Sequence, residues 1–126
     1  MTEPSPVPTE IRLHKKSRVL ELVYADGTNY NLAAEYLRVF SPSAEVQGHG
    51  PGQAVLIVGK ENVGIDSIEQ VGHYAIRVRF SDGHDSGLFS WKYLQKLGAE
   101  EADNWDDYSR RCEEAGYQRK PTETAH

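Results

Sequence analysis

Residues 74–94 read YAIRVRFSDGHDSGLFSWKYL, and this stretch decides the fold. Apolar and cationic side chains alternate along its first seven residues. This alternation predicts a half-buried antiparallel strand with Tyr74 and Ile76 facing the core. Asp82-Gly83 then supplies the positive backbone angles that a tight turn needs, so the chain is expected to reverse and pair with itself.

The same order of elements occurs once before. Residues 22–37, LVYADGTNYNLAAEYL, also contain a strand, an Asp-Gly turn, a returning segment and a helix that holds Tyr-Leu. Asn31 is expected to cap the earlier helix, and Ser90 is expected to cap the later one. Gly98 is expected to end that later helix. The pattern predicts a hairpin-then-helix unit that is used twice.

A third helix is predicted over roughly residues 100–115, where apolar side chains recur at helical spacing before a glycine. Residues 1–8 and 117–126 are polar or proline-rich and read as disordered tails. The prediction is therefore one α+β domain over residues 9–116. Its antiparallel sheet is built from β-hairpins, with short helices and a C-terminal helix packed on it.

Composition narrows the classes of function. The chain has 126 residues, a formal net charge of −5 and 38% hydrophobic residues, and its apolar runs are short. An acidic surface repels phosphate backbones, so nucleic acid is not an expected partner, and neither is a membrane. The single cysteine, Cys112, rules out an all-cysteine metal site within one chain. With no signal peptide at the N-terminus, it points to the cytoplasm.

His84 is the first candidate for chemistry. It follows a turn and has Asp82 and Asp85 beside it, so it could ligate a metal or shuttle protons. The alternative is a solvated ring or one bonded to a backbone carbonyl, which we favour because lone histidines are rarely ligands. A second histidine, His49, could approach it, with Glu45 or Asp82 as a third ligand. Nothing in the spacing requires that arrangement.

Other candidates for chemistry are weaker. Residues 41–53 form a loop with three glycines, but the loop lacks the Gly-Lys-Ser/Thr ending of a phosphate-binding loop. Arg77 and Arg79 could grip a carboxylate or phosphate, although such residues more often keep a sheet face solvated. Cys112 falls on the apolar side of a helix, and no serine lies in a Gly-x-Ser-x-Gly elbow. No complete catalytic constellation is predicted.

Two stretches carry a family resemblance. FSDGHDSGLFSW at residues 80–91 and YLRVFSPSAEV at residues 36–46 resemble the γ-butyrobetaine hydroxylase-like N-terminal domain family. The resemblance spans about residues 9–98. It implies a domain that precedes the catalytic domain of iron(II)- and 2-oxoglutarate-dependent dioxygenases. The same domain is also fused to ATPases resembling iron–sulfur cluster carriers, and it occurs alone in bacteria. The dioxygenase iron triad belongs to a separate domain, and this chain has no His-x-Asp/Glu pair for one.

The resemblance also concerns a zinc site that the dioxygenases of the family contain. In the dioxygenases of the family a structural zinc is held by Cys-x-Cys-x-x-Cys and by the histidine of the Asp-Gly-His turn. Those positions fall here on Ser41, Ser43, Val46 and His84. Hydroxyls and a valine methyl do not replace thiolates on zinc, so the resemblance implies that the site is lost. Hydrogen bonds from Ser41 and Ser43, with Val46 packed inward, are expected to hold this loop instead.

The sequence thus favours a non-catalytic binding or accessory module that uses no cofactor and binds another protein. Its fused relatives suggest a link to iron–sulfur or oxidoreductase systems. The expected surface is a cleft between the 41–53 loop and the 82–91 hairpin. Its candidate binding residues are His49, His84, Trp91 and Arg77. The alternative is a protein that binds zinc or iron, or a metal-dependent oxidoreductase component, with ligands from His84, His49, Glu45 and Asp82.

Overall fold

The chain forms two similar units, each with three short strands followed by a helix. The computed structural model describes residues 7–41, 56–85 and 87–118. The first unit consists of β1 (Glu10–His14), β2 (Val19–Val23), β3 (Asn29–Ala33) and α1 (Ala34–Val39). The second consists of β4 (Ile65–Val71), β5 (Ala75–Phe80), β6 (Leu88–Ser90) and α2 (Trp91–Ala99). A last helix, α3 (Glu101–Glu114), follows the second unit.

Each unit contains its own three-stranded antiparallel sheet, with strand orders β1-β2-β3 and β4-β5-β6. In the first sheet Leu22 lies opposite Tyr30, and in the second Ile76 lies opposite Phe89. Each sheet runs directly into a helix, as the repeated sequence pattern predicted. The α+β class and the antiparallel hairpins are confirmed, with the strands divided between two sheets.

The two Asp-Gly turns have the same hydrogen bonds. In the first, the N–H of Tyr24 donates to the carbonyl of Thr28 (2.9 Å), and the N–H of Gly27 donates to the carbonyl of Tyr24 (3.0 Å). In the second, Phe80 and His84 take the places of Tyr24 and Thr28, at 2.9 Å and 3.0 Å. Both turn glycines have φ of +92°, a conformation that glycine adopts without steric cost.

One apolar core joins the two units. It receives alternate side chains from β2 and β5, together with the inner faces of α1 and α2. The largest buried side chains are Tyr36, Tyr108, Phe80, Phe89, Leu20, Leu22, Leu32, Leu37, Ile76 and Leu94. Because neither small sheet can cover its apolar face alone, each uses the other unit as its cover.

Two sequence predictions about where an element begins are wrong, one for α1 and one for β5. Asn31 does not cap α1, because it belongs to β3 and lies opposite Glu21. The helix begins three residues later, after Ala33, and has no side-chain cap. Tyr74 does not face the core either. It lies in the turn before β5 and is 59% exposed, while Ala75 is buried. For Asn31, strand pairing outweighs the local preference for a helix cap.

The prediction for α2 is half right. The Ser90 side chain accepts from the N–H of Tyr93 (3.0 Å), so the cap is confirmed. Gly98 does not end the helix, because α2 continues through Ala99. A Cβ atom at position 98 would lie 2.4 Å from the ring of Tyr30. The glycine is therefore needed for close packing of β3 on α2.

The segment just after α3 is tied to the residues that precede β4. Gly116 ends α3 with φ of +79°, and Tyr117 donates its hydroxyl to Oε2 of Glu61 (2.6 Å). Tyr117, which the sequence placed at the start of a tail, thus packs on the domain. None of the helices in the described ranges is both long enough and apolar enough to cross a membrane.

Candidate functional site

The candidate site is built on the turn between β5 and β6. Here Asp82 uses one carboxylate oxygen, Oδ1, to accept from the backbone N–H of His84 (3.1 Å). An aspartate that bonds to the backbone two residues on stabilises a turn by itself. The bond fixes the backbone of His84 next to the end of β5.

The other oxygen of Asp82 binds two cations. Nε of Arg38, on α1, lies 2.8 Å from Oδ2, and Nζ of Lys60 lies 2.6 Å from the same atom. Partial burial raises the pKa of Asp82, but the hydrogen bonds from Lys60, His84 and Arg38 outweigh it and hold the pKa at about 2. Asp82 is therefore ionised, and its carboxylate links three segments of the chain that are distant in sequence.

His84 contacts a second side chain from the end of α1. Its Nε2 atom lies 3.1 Å from Oγ of Ser41, which is buried. The ring also lies 6.0 Å, centroid to centroid, from that of Phe80. Burial first, and then the charge of Arg38, lower the pKa of His84, so its imidazole is neutral near pH 7. Ser41 thus contacts His84. The predicted role of Ser41, Ser43 and Val46 in holding the 41–46 loop lies outside the described residues, apart from Ser41 itself.

Gly87 makes room for this contact. A Cβ atom at that position would lie 2.3 Å from Oγ of Ser41 and 3.5 Å from the ring of Phe89. Any side chain there would push the Ser41 hydroxyl away from its present place. Gly87, which follows the Asp-Gly-His turn in sequence, therefore accommodates Ser41.

The residues at this position do not fit a zinc ion. Of the four positions that the resemblance assigns to zinc ligands, Ser41 and His84 are described, and a neutral hydroxyl is a poor ligand beside an imidazole. Ser43 and Val46 lie outside the described residues, as do Glu45 and His49. Asp82, the remaining alternative ligand, is engaged by two cations. Within the described ranges no group of three or more histidine, cysteine, aspartate or glutamate side chains could hold a metal.

The other predicted binding residues lie elsewhere on the second unit. Arg77 lies opposite Leu88 in the sheet, and its Nη1 lies 3.4 Å from Oε1 of Glu69. Trp91 is 7% exposed, and its indole N–H donates to the carbonyl of His73 (2.9 Å). It packs at the start of β5, whereas His84 follows the end of β5, about 17 Å along the strand. The structure does not bring Trp91 beside His84.

Sequence reasoning missed the two cations of the site. Lys60 comes from a segment without secondary structure, so no periodic pattern marks it. Arg38 lies within the YLR motif, but its role depends on where α1 meets the second unit. A cleft of about 330 Å³ adjoins them, lined by Lys60, Glu61, Ser81, Asp82 and Tyr117 among others.

Comparisons with known proteins agree on the family. A model of the "Gamma-butyrobetaine hydroxylase-like, N-terminal" family matches residues 11–95. A search of curated proteins finds no match. Among solved structures, an NMR solution structure is 48% identical, with a TM-score of 0.80, and covers 97% of this chain and 96% of its own. A second NMR structure is 43% identical, with a TM-score of 0.81, and covers 99% and 95%.

A crystal structure is also similar. It is of a protein of unknown function from Acidithiobacillus ferrooxidans, assigned to the DUF971 family. The two chains are 41% identical, with a TM-score of 0.65, over 79% of this chain and 100% of that one. The family match includes β2 to β6, α1 and the Asp-Gly-His turn. The chain belongs to the γ-butyrobetaine hydroxylase-like N-terminal domain family.

Proposed function

We propose that this protein is a non-catalytic accessory module that binds another protein through the hairpin of β5 and β6. The observation that carries this proposal is the engagement of Asp82 and His84 in internal contacts. Both side chains are of a type that can move protons. Asp82 instead binds Arg38 on α1, and His84 contacts Ser41, two residues after the end of that helix.

The chemistry of Asp82 argues against catalysis. A general base works best with a pKa near the working pH. With its pKa held at about 2 by Lys60, Arg38 and a backbone N–H, Asp82 is a weak proton acceptor. Its geometry suits a structural anchor for the turn.

The distance between Ser41 and His84 is that of a serine–histidine catalytic dyad, but the serine hydroxyl is not accessible to a substrate. Ser41 is 0% exposed, so a substrate carbonyl has no path to its hydroxyl. In a catalytic triad the carboxylate contacts the imidazole ring of the histidine. The carboxylate of Asp82 instead accepts from the backbone N–H of His84. The pair is better suited to hold the turn against α1.

The exposed face of the β5–β6 hairpin suits a protein partner. Leu88 is 37% exposed on β6, and Arg77 faces it across the sheet with a side chain that is 41% exposed. Arginine is enriched among the anchor residues of protein interfaces. By analogy with the fused relatives, the proposed partner belongs to iron–sulfur or oxidoreductase systems.

Photo-crosslinking in the native host tests this proposal. A photoreactive phenylalanine at position 88 should give discrete adducts, and Arg77→Glu in the same chain should reduce them. The matched control carries the same group at Glu113, which is exposed on α3. Adducts of equal yield from both positions, or none from position 88, would count against the proposal. Mass spectrometry of the adduct identifies the partner class.

A further inference from the structure

The two Asp-Gly turns differ in what holds the aspartate side chain. Their backbones are held alike, since the N–H groups of Gly27 and Gly83 each donate to the carbonyl three residues back at 3.0 Å. In both turns the carboxylate also accepts from the backbone N–H two residues on, at 2.9 Å for Asp26 and 3.1 Å for Asp82. Any difference between the turns must therefore come from the remaining contacts of the two carboxylates.

Contacts with distant segments fix the side chain of Asp82. Its Oδ2 atom lies 2.8 Å from Nε of Arg38 and 2.6 Å from Nζ of Lys60, and the side chain is 21% exposed. The carboxylate of Asp26 is held by Thr28 and by its own backbone, and no lysine or arginine in the described ranges pairs with it. Rotation of the Asp26 side chain therefore breaks contacts within the turn alone, whereas rotation of the Asp82 side chain also breaks two ion pairs.

Rotation of the aspartate side chain is the step that allows an Asp-Gly bond to isomerise. The main-chain nitrogen of the glycine attacks the γ-carbon of the aspartic acid, and the amide proton and the carboxyl hydroxyl leave together as water. The product is a five-membered succinimide ring. Addition of water at the original main-chain carbonyl opens the ring to isoaspartate, which has the same mass and one more methylene in the main chain. Glycine favours the reaction, because it has no Cβ atom to hinder its nitrogen.

We propose that Asp26-Gly27 is a site of spontaneous isoaspartate formation in the folded protein. Both residues of this pair are exposed, so water reaches the succinimide that opens to the product. Asp82-Gly83 is protected from the same reaction by the ion pairs with Arg38 and Lys60. The extra methylene lengthens the β2–β3 turn, so the modified chain should be less stable than the original one.

Incubation of the full chain at pH 5 and 37 °C tests the proposal. Samples are digested with a protease that cleaves before aspartate but not before isoaspartate, and mass spectrometry measures the missed cleavage at each site. Isomerisation at Asp26 should be at least about five-fold faster than at Asp82, the factor expected from two partly exposed ion pairs. In urea these contacts are lost, so the two sites should react at similar rates. Equal rates in the folded chain, or no isoaspartate at Asp26 when the chain in urea has reacted, would overturn the proposal.

Three variants decide whether the two cations are the cause of the protection. Arg38→Gln combined with Lys60→Gln should raise the rate at Asp82 by at least about five-fold and leave the rate at Asp26 unchanged. Lys60→Gln alone should raise the rate at Asp82 by a smaller factor, and it decides the matter if the double variant does not fold. Arg110→Gln, which removes a cation from α3, should change neither rate. A rate at Asp82 that is unchanged in the folded Lys60→Gln chain, or that rises equally with Arg110→Gln, would overturn the proposal.

Discussion

Oγ of Ser41 lies 3.1 Å from Nε2 of His84, although the two residues are 43 positions apart in sequence. This contact joins the end of α1 to the β5–β6 turn at the place where the family resemblance implies a metal. A hydrogen bond of this kind contributes about 1 kcal/mol, far less than a structural zinc ion. The Arg38–Asp82–Lys60 cluster stands beside it and stabilises the same junction.

Gly87→Ala should disturb this contact. The new methyl group would overlap the Ser41 hydroxyl, and overpacking of this kind costs about 1–3 kcal/mol. Chemical denaturation measures the loss. In a Ser41→Ala background the overlapping atom is gone, so the cost of Gly87→Ala should largely disappear. Equal costs in both backgrounds would show that Ser41 is not what the glycine accommodates.

Acid should weaken the Asp82 cluster in a defined range of pH. The pKa of Asp82 is about 2 in the folded chain and 3.8 ordinarily, so its contribution is complete above pH 4 and is lost as pH falls toward 2. Allowing for solvent screening, the contribution is about 1–2 kcal/mol. The difference in unfolding free energy between the unmodified chain and Asp82→Asn should shrink over that range. A difference that is constant with pH would contradict the assignment.

His84 should affect the stability of the fold over a higher range of pH than Asp82. Because burial lowers its pKa below the ordinary 6.5, the folded state binds fewer protons than the unfolded state. Stability should therefore be highest above pH 6.5 and fall as pH drops below it. Denaturation midpoints between pH 8 and pH 5, compared with those of His84→Gln, measure this slope. NMR titration of the ring should give a midpoint below the ordinary 6.5, and a midpoint above that value would exclude the lowered pKa.

Gly98→Ala should destabilise the protein even though alanine favours helices. The helical preference is worth up to about 1 kcal/mol, but the new Cβ would stand 2.4 Å from the Tyr30 ring. We expect a net loss of about 1–2 kcal/mol, measured by urea denaturation. With Tyr30→Ala already present, the same change should become neutral or stabilising. Persistence of the loss in that background would mean that the ring is not the obstacle.

Metal content tests the loss of the family site directly. Protein purified without a histidine tag should contain less than one equivalent of zinc or iron, and a chelator should leave its melting temperature unchanged. A chain with Ser41→Cys, Ser43→Cys and Val46→Cys supplies the missing thiolates and serves as the positive control. Its zinc should disappear with His84→Ala. One equivalent of metal in the unmodified chain, with a chelator-sensitive melting temperature, would restore His84 as a ligand.

The local parts of the fold were predictable from short stretches of sequence. Asp26-Gly27 and Asp82-Gly83 form their turns because an aspartate bonds the backbone two residues on and a glycine accepts a positive φ. Ser90 caps α2 through a bond that spans three residues. These interactions involve neighbours along the chain, so their geometry follows from the residues themselves.

What only the tertiary structure decided depends on contacts between distant segments. Asn31 has the residue type of a helix cap, but strand pairing with Glu21 places it in β3. Gly98 has the residue type of a helix stop, but it lies inside α2, where it leaves room for the ring of Tyr30. Arg38 and Lys60 reach one oxygen of Asp82 from segments 44 and 22 positions away. The sequence determined the turns and alternating strands, because those depend on backbone angles and side-chain order. The tertiary structure decided the site, because its ion pairs and close contacts form only where the two units pack.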